Sequence, residues 1–235
     1  NFRVGIQVHA SQQCGVYNRF ETLFLTNDHT GHSELCSLFL DADYRQGRNG
    51  ALLSKSRLLF IGEFKERFAS KIIAELRGQL DENNRSPFWE HLGKHFFSMD
   101  FSKADYLTGI GQKSFIAELM PYYPIYTVFL PPEARAVIAQ VHQDTRAARQ
   151  MLESEGFRYE GYVDIFDAGP TVECYQENIQ AIRHSGVLPV TLTAAPNQAS
   201  EDQLIWLVSN QRFEGYRACL VTAPRALQAM PLDAL

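Results

Sequence analysis

The chain has 235 residues, 45% of them hydrophobic and 21% charged, with a net charge of −5 at pH 7. That is long enough for one large domain, or for one domain with a small appendage, and apolar enough for a real core. It excludes a polybasic nucleic-acid binder, and no window approaches the ~18 uninterrupted apolar residues of a membrane-spanning helix.

The opening "NFRVGIQVHAS" reads as strand and lacks the charged start and apolar run of a signal peptide. With no initiator Met, the chain is expected to be a trimmed one. "ETLFLTNDHTGHSELCSLFLD" then reads as two extended segments split by the polar turn 27–32. From Gly50 to Phe68, Leu52, Leu53, Leu59, Phe60, Phe64 and Phe68 recur at helical spacing, and "KIIAELRG" at 71–78 reads as a short strand. After the polar loop "DENNRSP", Ser86 and Pro87 make a helix start, because the hydroxyl can cap and proline suits the first helical position. That helix is expected to end near Gly93.

A second passage, "AVIAQVHQDTRAARQMLESEGFRYEGYVDIFD", reads as strand, polar turn, helix, Gly156 and aromatic strand. "FWEHLGKHFF" and "QMLESEGFRY" both place glycine and then aromatics after an amphipathic helix, the texture of a weak internal repeat. Around 185–200 the composition turns to Pro, Ala, Ser and Asn, as at a domain edge. Beyond it "LIWLVSN" and "YRACLVTA" read as strands and "RALQAMPLDAL" as an unfinished helix. Alternating elements over the first 170 residues predict an α/β or α+β fold. Cys14, Cys36, Cys174 and Cys219 share no metal-ligand or disulfide spacing, and a reducing cytoplasm suits them.

The stretch with chemistry in it is "YRQGRNG", where an apolar segment ends and a helix begins. Gly47 and Gly50 let backbone approach an anion, Arg45 and Arg48 add charge-assisted donors, and a helix start carries unpaired N–H groups. The pattern is neither a Walker A loop nor the dinucleotide fingerprint, and a solvated turn shaped by glycine fits it too. Other residues stay open on pattern alone. His29 and His32 form an H-x-x-H beside Asp28, which suits a metal, a pocket lining or an ordered turn; no third ligand has a recognised spacing. Cys36 could carry an acyl group, but its apolar flanks on an expected buried strand favour packing.

"Arg45-Gln46-Gly47-Arg48-Asn49-Gly50" resembles the R/Q-x-x-G-x-G/A loop with which GCN5-related N-acyltransferases hold the pyrophosphate of an acyl-coenzyme A. Arg48 or Asn49 replaces the first glycine, depending on alignment. Longer strings, "VHASQQCGVYNRFETLFLTNDHTGHSELCSLFLDADYRQGRNGALLSKSR", "SPFWEHLGKHFFSMDFSKADYLTGIGQKSFIAELMP" and "EGFRYEGYVDIFDAGPTVEC", resemble the arginine N-succinyltransferase family. The resemblance implies an α+β fold, a GCN5-related N-acyltransferase-like mixed sheet flanked by helices, over 1–187. It also implies that the family's opening elements precede Asn1; 188–235 would be a small, incomplete β-rich piece.

The resemblance further implies transfer of succinyl from succinyl-CoA to the α-amine of L-arginine in the cytoplasm. Succinyl-CoA would be a co-substrate, with no permanently bound cofactor, no metal, no nucleic acid and no membrane. Partnership with like or related subunits is expected. Leu38 would contact succinyl-CoA through its backbone, and Arg45, Gly47, Arg48, Asn49 and Gly50 would cradle the pyrophosphate. His142 in "AQVHQD" matches the family's Gly-Gln-Val-His-Pro, whose histidine donates the proton; Ala139 and Gln143 replace the flanking Gly and Pro. Glu34, Glu75, Arg77, Asp164 and Asp167 are available to recognise the two substrates' charges. A non-catalytic partner subunit and a coenzyme A-binding module of the same fold are the alternatives.

Overall fold

In the computed structural model, the described residues are 1–112, 114–193, 203–225 and 230–233. In chain order the strands are β1 (Phe2–Ser11), β2 (Val16–Leu25), β3 (Ser33–Glu34), β4 (Lys71–Glu75), β5 (Ile125–Tyr126), β6 (Arg158–Val163), β7 (Pro170–Tyr175), β8 (Val190–Thr193), β9 (Gln203–Ser209), β10 (Ala218–Pro224) and β11 (Met230–Asp233). The helices are α1 (Asn49–Glu63), α2 (Lys94–Phe97), α3 (Phe101–Gly109), α4 (Ser114–Leu119), α5 (Pro132–Ala136), α6 (Arg146–Ser154) and α7 (Gln180–Arg183). They group into two compact units, one of Asn1–Cys36 with Lys71–Cys174, the other of Ser37–Ser70 with Tyr175–Leu235.

The first unit is built on a mixed sheet of order β3-β4-β7-β6-β1-β2-β5. β3 and β4 run parallel, and the remaining registered pairs, led by the long β1–β2 hairpin, are antiparallel. Phe2, Leu23 and Val163 from the sheet, with Phe88, Trp89, Phe97 and Ala104 from the helices, form the core. Burying each of the large side chains is worth about 1.5–3 kcal/mol.

Ser86 caps as its sequence predicts: its Oγ accepts from the Trp89 N–H at 3.0 Å and donates to the Phe166 carbonyl at 3.1 Å. The helix does not stop at Gly93, however. It widens into a π turn over Trp89–Gly93 and runs through α2 to Ser98, which takes the left-handed end position at φ 51°. Gly93 instead makes room for a ring: a Cβ there would stand 2.2 Å from Trp89 Cε3. Trp89 stacks on Phe97 at 5.1 Å and donates from Nε1 to the Met99 carbonyl. Gly156, by contrast, ends its helix at φ 101°, so the two glycines of the suggested repeat do different jobs.

Other expectations need correction. The strand expected over 33–40 pairs only at Ser33–Glu34, with the Leu35 N–H still reaching the Ile73 carbonyl. Ser37 then turns the chain at φ 55°, and Cys36 is exposed. Residues 136–141 form no strand beyond a bridge between Val141 and Gly78.

In the second unit α1 runs from Asn49, close to its expected start. Its Phe60 and Phe64 pack with Phe213 and Tyr216, and Arg67 lies over the Phe213 ring. β9 and β10 pair as the antiparallel hairpin that "LIWLVSN" and "YRACLVTA" suggest. The expected C-terminal helix is corrected at 230–233, a strand parallel to β8; the rest of that stretch falls outside the described residues except for Arg225. No helix of the described residues is long and apolar enough to cross a membrane.

Candidate active site

The loop before α1 is built from side chains that bond to its own backbone. Arg45 Nε donates to the Leu40 carbonyl at 3.0 Å, Gln46 Nε2 to the Asp43 carbonyl at 3.4 Å and Asn49 Nδ2 to the Tyr44 carbonyl at 3.0 Å. Gly47 sits at φ 58°, in the left-handed region where any side chain would be strained. Gly50 carries no such demand: a Cβ there meets only Leu40 Cδ2, at 3.9 Å. Its absence of side chain leaves backbone open at the helix start rather than permitting a turn.

The donors left over are those of a helix N-terminus. The Asn49 N–H is engaged with the Gln46 carbonyl at 3.4 Å, so it leaves the set of free donors that the pattern suggests. The N–H groups of Arg48, Gly50 and Ala51 find no acceptor among the described residues, and no acidic residue occupies the first turn of α1. With the helix dipole and the Arg48 guanidinium, the result is a corner of unpaired donors and positive potential. Leu38 lies ahead of it, 41% exposed, and among the described residues no carbonyl accepts from its N–H. A cavity of about 410 Å³ adjoins the loop, with Leu40, Tyr44 and Asn49 in its wall.

His142 belongs to the first unit. Its N–H donates to the Arg77 carbonyl at 2.8 Å, next to the Val141–Gly78 bridge. Its ring Nδ1 accepts from the Asp144 N–H at 3.3 Å, while the Asp144 carboxylate stands farther off at 3.6 Å. The amide is the closer partner, so in its neutral form the ring carries its proton on Nε2.

The segment under His142 is fixed by two acids, Asp167 buried and Asp164 half-buried. Asp167 accepts from the Gly78 and Gly169 N–H groups at 2.7 and 2.8 Å. Asp164 accepts from the Phe166 and Asp167 N–H groups at 2.7 and 3.0 Å. Burial pushes Asp164 up to about 8, helped by the neighbouring Asp167 charge, and burial raises Asp167 as well. Gly78 and Gly169 are required here: added Cβ atoms would come within 2.4 Å of the Asp167 carbonyl and 2.0 Å of the Leu76 carbonyl. These two acids therefore hold backbone, whereas Glu75 accepts from Asn1 Nδ2 at 3.0 Å.

His29 is tied to the sheet. Its Nε2 lies 3.0 Å from Glu173, whose other oxygen takes Lys71 Nζ at 2.5 Å. Burial works against the Glu173 charge, but those two bonds hold its carboxyl below the usual range. Burial and the Lys71 charge lower His32. Among the described residues no three His, Cys, Asp or Glu side chains are arranged to hold a metal ion.

The candidates therefore divide. Leu38, Arg45, Gly47, Arg48, Asn49 and Gly50 fall together in the second unit, and His142 falls in the first. Sequence reasoning missed Tyr216 in the cavity wall and the Glu173 partner of His29, because both pairings join residues more than a hundred positions apart.

The arginine N-succinyltransferase beta subunit family profile matches residues 1–181. An arginine N-succinyltransferase of Enterobacter sp. (strain 638) is 54% identical over 234 residues, covering 100% of this chain and 67% of its own. One of Salmonella paratyphi B is 54% identical over 240 residues, covering 100% of this chain and 69% of its own. The arginine/ornithine succinyltransferase subunit AI from Pseudomonas aeruginosa has a similar structure, with TM-score 0.85 and 33% identity over 99% of this chain and 66% of that one. The chain thus spans about two thirds of the length of these relatives. The structural likeness identifies the α+β fold, with its mixed sheet, flanking helices and small β-rich C-terminal piece, as an acyltransferase fold. The chain belongs to the arginine N-succinyltransferase family of acyltransferases.

Proposed function

We propose that the protein transfers succinyl from succinyl-CoA to the α-amine of L-arginine, giving N2-succinylarginine and coenzyme A as the first step of succinyl-dependent arginine breakdown. The observation that carries this reading is the anion corner at Arg48–Ala51, retained with His142 in a chain of this family. The pyrophosphate of the co-substrate sits on the Arg48, Gly50 and Ala51 N–H groups, and the Arg45 and Arg48 side chains add charge. The Leu38 N–H holds the thioester oxygen and stabilises the charge that develops on it.

The neutral amine attacks the thioester carbon, a C–N bond forms, and the C–S bond breaks. His142 acts as the imidazolium: it gives its Nε2 proton to the departing sulfur and becomes neutral, and the proton that the amine releases to solvent balances the one the ring takes up for the next turnover. Cytoplasmic location and assembly with like or related subunits belong to the same proposal. The words "beta subunit" and "subunit AI" in the names of the family and of the structural relative support the assembly. The resemblance read from the sequence runs from about residue 3 to 190; we take 1–187 as the transferase region, with 188–235 as its appendage.

The test is to incubate the purified full-length protein with succinyl-CoA and L-arginine and follow thiol release and the mass of the product. Arginine-dependent release is expected. Release only after a related chain is added would replace this reading with a partner-subunit role. Coenzyme A binding without release under either condition would leave a binding module.

A further inference from the structure

We propose that the cavity between the start of α1 and the Tyr216–Ala218 corner takes the adenosine end of the acyl-coenzyme A. The inference rests on the succinyl-CoA reading and adds to it a role for the β9–β10 hairpin, which lies beyond residues 1–181 of the family match.

The cavity of about 410 Å³ is of a size that holds small ligands. It begins where the anion corner ends, because Asn49 opens α1 and also lines the cavity. Down the same helix, Leu53 and Ser56 continue the wall, and at ~1.5 Å rise per residue Ser56 lies about 10 Å beyond Asn49. That reach suits a nucleoside hung from a phosphate at the corner.

The chemistry of the wall agrees. Tyr44 and Tyr216 supply aromatic rings, Leu53 an aliphatic surface, and Asn49 and Ser56 the polar atoms. No charged side chain lines it among the described residues, which fits an uncharged heterocycle and leaves the phosphates to Arg45 and Arg48. Tyr216 is held ready: its hydroxyl donates to the Ser56 carbonyl at 3.1 Å and its ring meets Phe60 edge-on at 4.9 Å. The thioester, assigned to Leu38, lies at the other end of the co-substrate. The pantetheine arm leaves the corner toward it, and adenosine is the part left for the cavity.

Filling the cavity tests this. With the full-length protein, Ala218→Phe should raise the KM for succinyl-CoA about tenfold, the size of one lost base-stacking contact. The KM for succinyl-4′-phosphopantetheine, which lacks adenosine, should stay at the wild-type value. An equal rise with both donors places the pantetheine arm in the cavity, and no rise with either leaves it without a ligand; each result overturns the proposal. If Ala218→Phe does not fold, Ser56→Leu fills the same space from the helix side. A wild-type protein inactive with both donors would refute the transferase reading alone. Calorimetry with adenosine 3′,5′-bisphosphate then decides the cavity, since binding lost in the variant upholds the proposal and equal binding overturns it.

Discussion

The Ala139 N–H donates to the Ala168 carbonyl at 2.9 Å, and both alanines hold left-handed backbone, at φ 60° and 56°. That conformation costs a residue with a Cβ about 1–2 kcal/mol. The family pattern has glycine at the first position, three residues before the histidine, and the geometry gives the reason. Ala139→Gly should therefore raise stability by up to about 1 kcal/mol after the added unfolded-state entropy is subtracted. Thermal unfolding should show a Tm gain of roughly 2–4 °C for a chain of this size. An unchanged or lower Tm would count against strain at Ala139.

The two acids beneath the same segment, Asp167 buried and Asp164 half-buried, make stability depend on pH. Asp164 has a folded pKa of about 8 against 3.8 in the unfolded chain. Between those values the folded state keeps a proton that the unfolded state has lost, so this group's contribution to stability falls as pH rises from about 4 to about 8. Asn at this position mimics the protonated acid and can still accept from the Phe166 and Asp167 N–H groups. Asp164→Asn should flatten the decline of Tm between pH 5 and pH 8; the same slope in both proteins would refute the assignment.

Much of the fold is legible from local pattern, and its departures have physical causes. The Ser86–Pro87 start, α1 and the β9–β10 hairpin follow from capping, periodicity and alternation within short windows. Gly93 misleads because glycine also serves close packing, and the Trp89 ring that needs the space becomes visible only in three dimensions. "CSLFL" looks like a buried strand because it is apolar, yet pairing with β4 stops near Leu35, and Leu38 and Phe39 stand exposed. The corner of free donors at the start of α1 could be expected from glycine, arginine and a helix start in sequence. Its distant wall at Tyr216 could not, since nothing local to that residue points to Ser56.

His142 offers a direct test of the chemistry. Its backbone is fixed by the Arg77 carbonyl and its ring by the Asp144 N–H, so truncating the side chain should leave the fold intact. His142→Ala should lower kcat about 100-fold or more, the usual size of a lost general acid, with little change in KM. Turnover near wild type, measured by thiol release, would remove His142 from the mechanism.

At the loop, two substitutions separate shape from charge. Gly47→Ala places a Cβ on left-handed backbone at φ 58°, with nothing within 4 Å to obstruct it, so its effect comes from backbone strain alone. It should lower stability by about 1–2 kcal/mol and raise the KM for succinyl-CoA, because the free N–H groups at the start of α1 lose their aim. Arg48→Ala leaves the backbone alone and removes one guanidinium, which no side chain or carbonyl of the described residues holds. It should raise the KM for succinyl-CoA about tenfold at low salt, with kcat and Tm unchanged, and the difference from wild type should shrink as ionic strength rises and screens the charge. A salt-independent effect would mean that Arg48 shapes the loop rather than binding an anion, and an unchanged KM would remove it from the site.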